Sequence, residues 1–318
     1  MINLKTLVFC SAALVGGAAQ AGTIDSLSIL TSFNTVALGN LTGSSETEGT
    51  VYVGGNLVSK GYGVNPDGMA DGTIGSVSGS LIVGGNVSGN PVNVGKGNVQ
   101  IGGTSTAVIN SNGGGKVMTG VAGIPVADVT IAMKGLSASL GAMATTAGAS
   151  ANFGDQNNTL INSGTGENGI AILNLTEEES ISFLKNGANS KFAGIDDTLT
   201  TIINLTGESL IYSSNFNIDK SKVLLNFTNT KSLNISGGAF GFSILAPLAD
   251  IYAVAGGING TVVGGNINQS IEFRPYGDTH GFEGTVPNDA ISPVPLPAAG
   301  LLLFAGLGGL GLMRRRVA

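Results

Sequence analysis

The sequence is short of most residues that carry chemistry. One cysteine, Cys10, stands near the N-terminus of 318 residues, and His280 is the single histidine. Beyond residue 21 this excludes a disulfide framework, a cysteine-bound zinc site and a thiol nucleophile. Tryptophan is absent, and aromatics make up 5% with no stripe of rings to stack on sugars. Charged residues are only 11%, and their signs are unbalanced. Setting aside Lys5, Arg314, Arg315 and Arg316 from the 14 bases leaves 10 against 20 acids. No basic stripe exists to displace counterions, so nucleic acid is excluded as a partner. An acidic balance of this kind favours solubility outside the cell.

Glycine is what the chain has, 52 residues of it, beside a 42% hydrophobic fraction. The glycines are patterned. Val53-Gly54-Gly55-Asn56 returns as Val83-Gly84-Gly85-Asn86 and Val263-Gly264-Gly265-Asn266, with a looser copy at Ile101-Gly102-Gly103-Thr104. Apolar residues precede each copy, and in three of the four they alternate as in a short strand with one buried face. Gly-Gly then suggests a turn through φ > 0, and Asn a turn or stacking residue. Such a unit cannot bury its own apolar face and needs copies above and below it. The expected fold is mainly β, a single β-solenoid. Val83 and Ile101 are 18 residues apart. Val53 and Val83 are 30 apart, one coil plus a loop expected over Lys60–Gly68. Asparagine ends an apolar run at Asn40, Asn56, Asn86, Asn174, Asn204, Asn226 and Asn266. Stacking at a coil corner would let these amides satisfy one another.

The remaining segments read in order. Residues 1–21 form a secretory signal peptide. Lys5 supplies its positive region, Leu7–Val15 its apolar core, and Ala19-Gln20-Ala21 the small-x-small cleavage pattern, with cleavage expected after Ala21. Residues 22–288 form the body. Within it one long amphipathic helix is expected at about 125–147, from Pro125 through the stripe Val129, Ala132, Met133, Leu136, Leu140 and Met143. It would pack along the solenoid or cap one end, shielding a sheet edge. Thr176-Glu177-Glu178-Glu179 is a capping box opening a short helix through Phe183 and Leu184. Residues 289–297 are a proline-rich linker. Residues 298–313 then run without a charge, a transmembrane-like helix, ahead of Arg314-Arg315-Arg316.

The tail resembles the PEP-CTERM class of sorting signals, in its VPLPA-CTERM variant. The carriers are Val294, Pro295, Leu296 and Pro297, the Leu- and Gly-rich run, and Arg314, Arg315 and Arg316. Leu296 stands where the main class has Glu. The resemblance implies processing by an exosortase-type enzyme after the signal peptidase. It also implies transient or permanent membrane insertion through 298–313 and export to the surface or matrix of a Gram-negative bacterium. The body resembles the choice-of-anchor A family. That likeness rests on Phe33–Gly39, Glu48–Asn56, Ile202–Gly207, Val223–Phe227, Ile244–Asp250 and Ile258–Val263. It implies one body carried on varied anchors, a β-helix, and adhesion.

No catalytic, cofactor or metal site stands out. Glu177–Glu179 reads as a helix N-terminus and Asp196-Asp197 as a turn. Asp67 and Asp71 lack a calcium-repeat pattern. His280 has no nucleophile partner motif and reads as a surface or edge residue. The expectation is a structural or adhesive surface protein, not an enzyme, with exopolysaccharide or other surface proteins as partners. The alternatives are an ice- or ligand-binding solenoid, for which Thr198, Thr200 and Thr201 are the only threonine cluster, and a polysaccharide-active enzyme with two placed carboxylates.

Overall fold

Val51–Val53 (β4) pairs in parallel with Leu81–Val83 (β9), β9 with Val99–Ile101 (β12), and β12 with Val117–Thr119 (β14). On its other side β4 pairs with Thr35–Ala37 (β1). Strands that recur at steps of 16, 30, 18 and 18 residues and pair in register are successive turns of one winding chain. Each turn also enters two further ladders. Leu41–Gly43 (β2), Leu57–Ser59 (β5) and Val87–Gly89 (β10) build the second. Glu46–Thr47 (β3), Tyr62–Val64 (β6), Val92–Val94 (β11) and Ile109–Ser111 (β13) build the third. The computed structural model describes residues 24–155, 158–186, 191–216, 218–277 and 279–287. The fold is mainly β and β-helix-like, with parallel sheets and, among the described residues, three helices.

The C-terminal half adds Ile170–Asn174 (β17), Thr200–Leu205 (β19), Val223–Phe227 (β21), Ser243–Ala253 (β24) and Val262–Gln269 (β26) to the first ladder. Its last strand, β26, pairs with the first strand, β1. The ladder therefore runs β14-β12-β9-β4-β1-β26-β24-β21-β19-β17. The chain starts mid-stack, winds to one end, crosses back, and winds in from the other end until it meets its own beginning. That explains why the late copy Val263–Asn266 matches the early ones: it is the spatial neighbour of Val36–Asn40.

The crossing element is α2, Val126–Ala142. It lies along the first wall, with Val129, Met133, Leu136 and Leu140 packed on the outward side chains Tyr52, Ile82, Val263, Leu245, Leu224 and Ile202. Strands β4 and β9 are thus buried on both sides, which is why they read Val-Tyr-Val and Leu-Ile-Val rather than alternating with polar residues. Each helix residue so buried contributes about 1.5–3 kcal/mol of transfer free energy. The helix lies along the stack, one of the two positions expected for it, and covers a face rather than a sheet edge because its apolar stripe matches an apolar wall. It also ends five residues earlier than expected, since Thr145 and Thr146 turn to hydrogen-bond β17. A short helix, α1 (Ser26–Ser32), is capped by Asp25 and packs beside α2. The third, α3 (Glu177–Asn186), opens on the expected capping box: Thr176 N–H donates to Glu179 Oε2 at 2.8 Å, and Glu179 N–H donates back to Thr176 Oγ1 at 3.3 Å.

The Gly-Gly pairs have a different cause from the one their sequence suggests. Gly54, Gly84 and Gly102 are not in positive-φ conformations. A Cβ on Gly54 would meet Leu38 O, one on Gly84 would meet Gly54 O, and one on Gly102 would meet Gly84 O. Glycine is required there because adjacent coils approach backbone to backbone. The expected loop over Lys60–Gly68 is also shorter: Tyr62–Val64 is strand β6, and Tyr62 is fully buried. The insertion follows it, with an antiparallel hairpin of Gly72–Ile74 and Val77–Gly79.

The expected cleavage residues Ala19 and Ala21, sorting residues Val294–Pro297, the apolar run 298–313 and Arg314–Arg316 lie outside the described residues. Among the described residues no helix is long and apolar enough to cross a membrane.

Candidate binding face

The three walls differ in what lies over them. Helices α1 and α2 cover the first. The third carries an ion cluster, and beyond it an exposed pair of asparagines in register, Asn93 and Asn110. Arg274 Nε lies 3.2 Å from Glu48 Oε1, and the same guanidinium pairs with Glu272. Glu48 and Arg274 line a cavity of about 610 Å³ with Asp67 and Asn259. Burial holds the Glu48 carboxyl above the usual carboxylate range, opposed by Arg274. With its cation paired twice, the cluster offers no free charge to an anion.

The second wall is uncovered. Ser209–Tyr212 (β20) and Ser232–Ile235 (β22) join the far parts of β24 and β26, then β2, β5 and β10. Alternation turns Leu210, Leu233, Ile251, Ile267, Leu41, Leu57 and Val87 inward. The residues between them form one outward row in register: Ile211, Asn234, Tyr252, Asn268, Thr42, Val58 and Ser88. At about 4.8 Å per strand the row is about 29 Å long. It carries no charge. Ile211 is 57% exposed, Tyr252 41% and Val58 38%. Tyr252 is the only exposed aromatic among the described residues. Most other rings pack inside, where Tyr212, Phe216, Phe240 and Phe242 form edge-to-face and stacked contacts at 4.6–6.0 Å.

One border of this wall is a polar ladder. Asn266 Oδ1 accepts from Asn40 N–H, Asn40 Oδ1 from Asn56 N–H, Asn56 Oδ1 from Asn86 N–H, and Asn86 Oδ1 from Thr104 N–H, each at 2.8 Å. The other three expected asparagines stand elsewhere, under α2. Asn204 Nδ2 donates to Asn174 Oδ1 and to Leu140 O, and Asn226 Nδ2 donates to Asn204 Oδ1 and to Ser137 O. Asn174 Nδ2 donates to Met143 O at 2.8 Å. This column therefore satisfies carbonyls at the helix C-terminus.

The acidic residues singled out in the sequence do not converge. Glu179 serves the α3 cap. Asp196 accepts from Thr198 N–H and Oγ1, which hold its carboxyl below the usual range. Asp71 accepts from Ser80 and Asn98. Among the described residues no group of three His, Cys, Asp or Glu could hold a metal ion. Thr198 is exposed, but Thr200 and Thr201 are buried in β19, so this cluster forms no threonine face. His280 is half-buried where the chain's two halves meet. Thr50 Oγ1 lies 2.6 Å from Ser32 O and 3.2 Å from His280 Nδ1. A hydroxyl that donates to the carbonyl accepts from the ring, which assigns the proton to Nδ1.

The model of the ice-binding-like adhesive domain matches residues 26–275. The chain belongs to that family. The match takes in α1, every coil and the whole uncovered row. No curated protein matches the chain. Among solved structures, the ice-binding protein of the Antarctic ascomycete Antarctomyces psychrotrophicus is similar at 12% identity. The match covers 79% of this chain and 97% of that one with a TM-score of 0.30. The sequence motifs mark the coil corners but not this row, whose members share only their position in the alternation.

Proposed function

We propose that this adhesive domain is a non-catalytic surface protein that holds an extended, uncharged polar polymer, such as a matrix polysaccharide, along the Ile211–Ser88 row. The observation that carries this reading is Tyr252, the one exposed ring among the described residues, standing between Asn234 and Asn268. A tyrosine ring offers a rigid apolar face at low entropic cost. Asn268 on one side supplies a donor and an acceptor together, which suits hydroxyls, whereas Asn234 Oδ1 on the other is buried. The stack would close as a single β-solenoid over residues 22–288. Residues 1–21 would direct export. The Val294–Pro297 motif, the 298–313 helix and Arg314–Arg316 would sort the body to the surface of a Gram-negative cell, as choice-of-anchor and PEP-CTERM proteins are sorted.

Ice binding is favoured by the family's description but not by the row, where threonine appears once, at Thr42. The purified chain is to be assayed for retention on immobilised neutral and acidic polysaccharides and for thermal hysteresis. Saturable retention without hysteresis supports the proposal. Hysteresis without retention would replace it with ice binding.

A further inference from the structure

The two ends of the stack differ. At the β17 end the strand edge is closed. Ile172 N–H donates to Thr146 Oγ1 at 2.8 Å, Ile172 O accepts from Thr146 N–H at 2.8 Å, and Asn174 N–H donates to Thr145 Oγ1 at 3.1 Å. At the other end β14 pairs with β12 alone among the described residues. All three of its residues are exposed, with Val117 at 41% and Met118 at 37%. Val108, at 61%, is exposed in the same last turn. Within β14 there is no proline, charge or bulge to protect the edge. Lys116 O accepts from Val99 N–H, and Ile101 O accepts from Val121 N–H. Alternation along a parallel ladder then turns the N–H and C=O of Val117 and Thr119 outward. An open edge of this kind is a template for another strand.

We infer that this edge pairs with β14 of a second copy of the chain, antiparallel about Met118, to give a two-fold, end-to-end dimer. This goes beyond the polymer-binding role and does not depend on it. Three observations select the second copy. The closed β17 edge excludes head-to-tail stacking, so the contact closes as a pair and does not propagate. Antiparallel pairing about Met118 sets Val117 opposite Thr119 of the second copy, an apolar group against a half-apolar one. It also leaves the two Lys116 residues at opposite ends of the paired segment, so the one nearby charge meets no like charge. Such a dimer would align two uncovered rows about one axis and double the points of attachment to a polymer.

Sedimentation velocity of the full chain over a concentration series tests this, with Val117→Pro as the blocking variant. Proline removes an outward N–H and leaves the β12 pairing untouched. A concentration-dependent dimer is expected, weakened about tenfold or more by Val117→Pro. Association driven by the apolar tail would be equal in both chains. A second measurement does not depend on how the proline variant folds. In a Cys10→Ser background, Met118→Cys should form a disulfide dimer under mild oxidation, since paired Cα atoms across the axis lie within disulfide reach. Ser88→Cys, on the second wall, should not. A monomer at all concentrations, a dimer unaffected by Val117→Pro, or equal cross-linking at positions 118 and 88 would overturn the inference.

Discussion

Asn40 donates its backbone N–H to Asn266 Oδ1 at 2.8 Å, joining residues 226 apart in sequence. The bond lies at the seam where the chain's first coil meets its last, and the ladder continues from it through Asn56 and Asn86. Only the oxygen of Asn56 is used, as an acceptor, whereas Asn226 uses both its oxygen and its nitrogen.

That difference predicts opposite outcomes for the same substitution. Asn56→Asp keeps an acceptor at an exposed corner and should cost less than about 1 kcal/mol. Asn56→Ala hands the Asn86 N–H to water and should cost about 0.5–1.5 kcal/mol. Asn226→Asp buries a carboxylate against Ser137 O and Asn204 Oδ1 and should cost about 3 kcal/mol or more. Urea unfolding midpoints of the three variants check the order.

Gly84→Ala tests the cause assigned to the glycine pairs. The new methyl group would meet Gly54 O and the Val126 side chain. Overpacking of this kind costs about 1–3 kcal/mol. Gly154→Ala has only Asn152 Oδ1, at 3.3 Å, beside its Cβ and should be near neutral. Equal melting temperatures for the two variants would return the glycines to a turn role.

His280 predicts a pH dependence. Burial holds its pKa below the ordinary 6.5, so the folded state favours the neutral ring. The unfolded chain then binds more protons below that value. Stability is fully present above pH 6.5, falls as the pH drops below it, and levels off beneath the folded-state pKa. His280→Gln should flatten this part of the curve between about pH 7.5 and 5. The check is the urea midpoint against pH for both chains.

Much of the coil was legible in the sequence, because a parallel stack repeats its local physics. Val53–Asn56 and Val83–Asn86 meet the same neighbours, so they look alike. The order of the coils was not legible. Nothing local to Thr35 or Val262 records that they pair. The glycine pairs were assigned to turns because clash with a neighbouring coil leaves the same residue type as a positive φ. The seven asparagines formed one class by sequence and two by structure, since an apolar run ends in Asn both at an open corner and beneath α2. The binding row was hidden for a further reason. A solvent-facing position in a strand tolerates Ile211, Asn234 or Ser88 equally, and only register brings them together.

The central claim is that the uncovered wall is the adhesive surface, and Tyr252 tests it most directly. The measurement is the affinity of the full chain for purified matrix polysaccharide from the producing cells, by surface plasmon resonance, for wild type and Tyr252→Ala, with Ile131→Ala on exposed α2 surface as the control. Loss of a central ring contact predicts about tenfold weaker binding for Tyr252→Ala. Ile131→Ala should bind as wild type, and the folding midpoints of all three chains should agree. Wild-type affinity in the Tyr252→Ala chain, or equal losses in both variants, would contradict the assignment of this face.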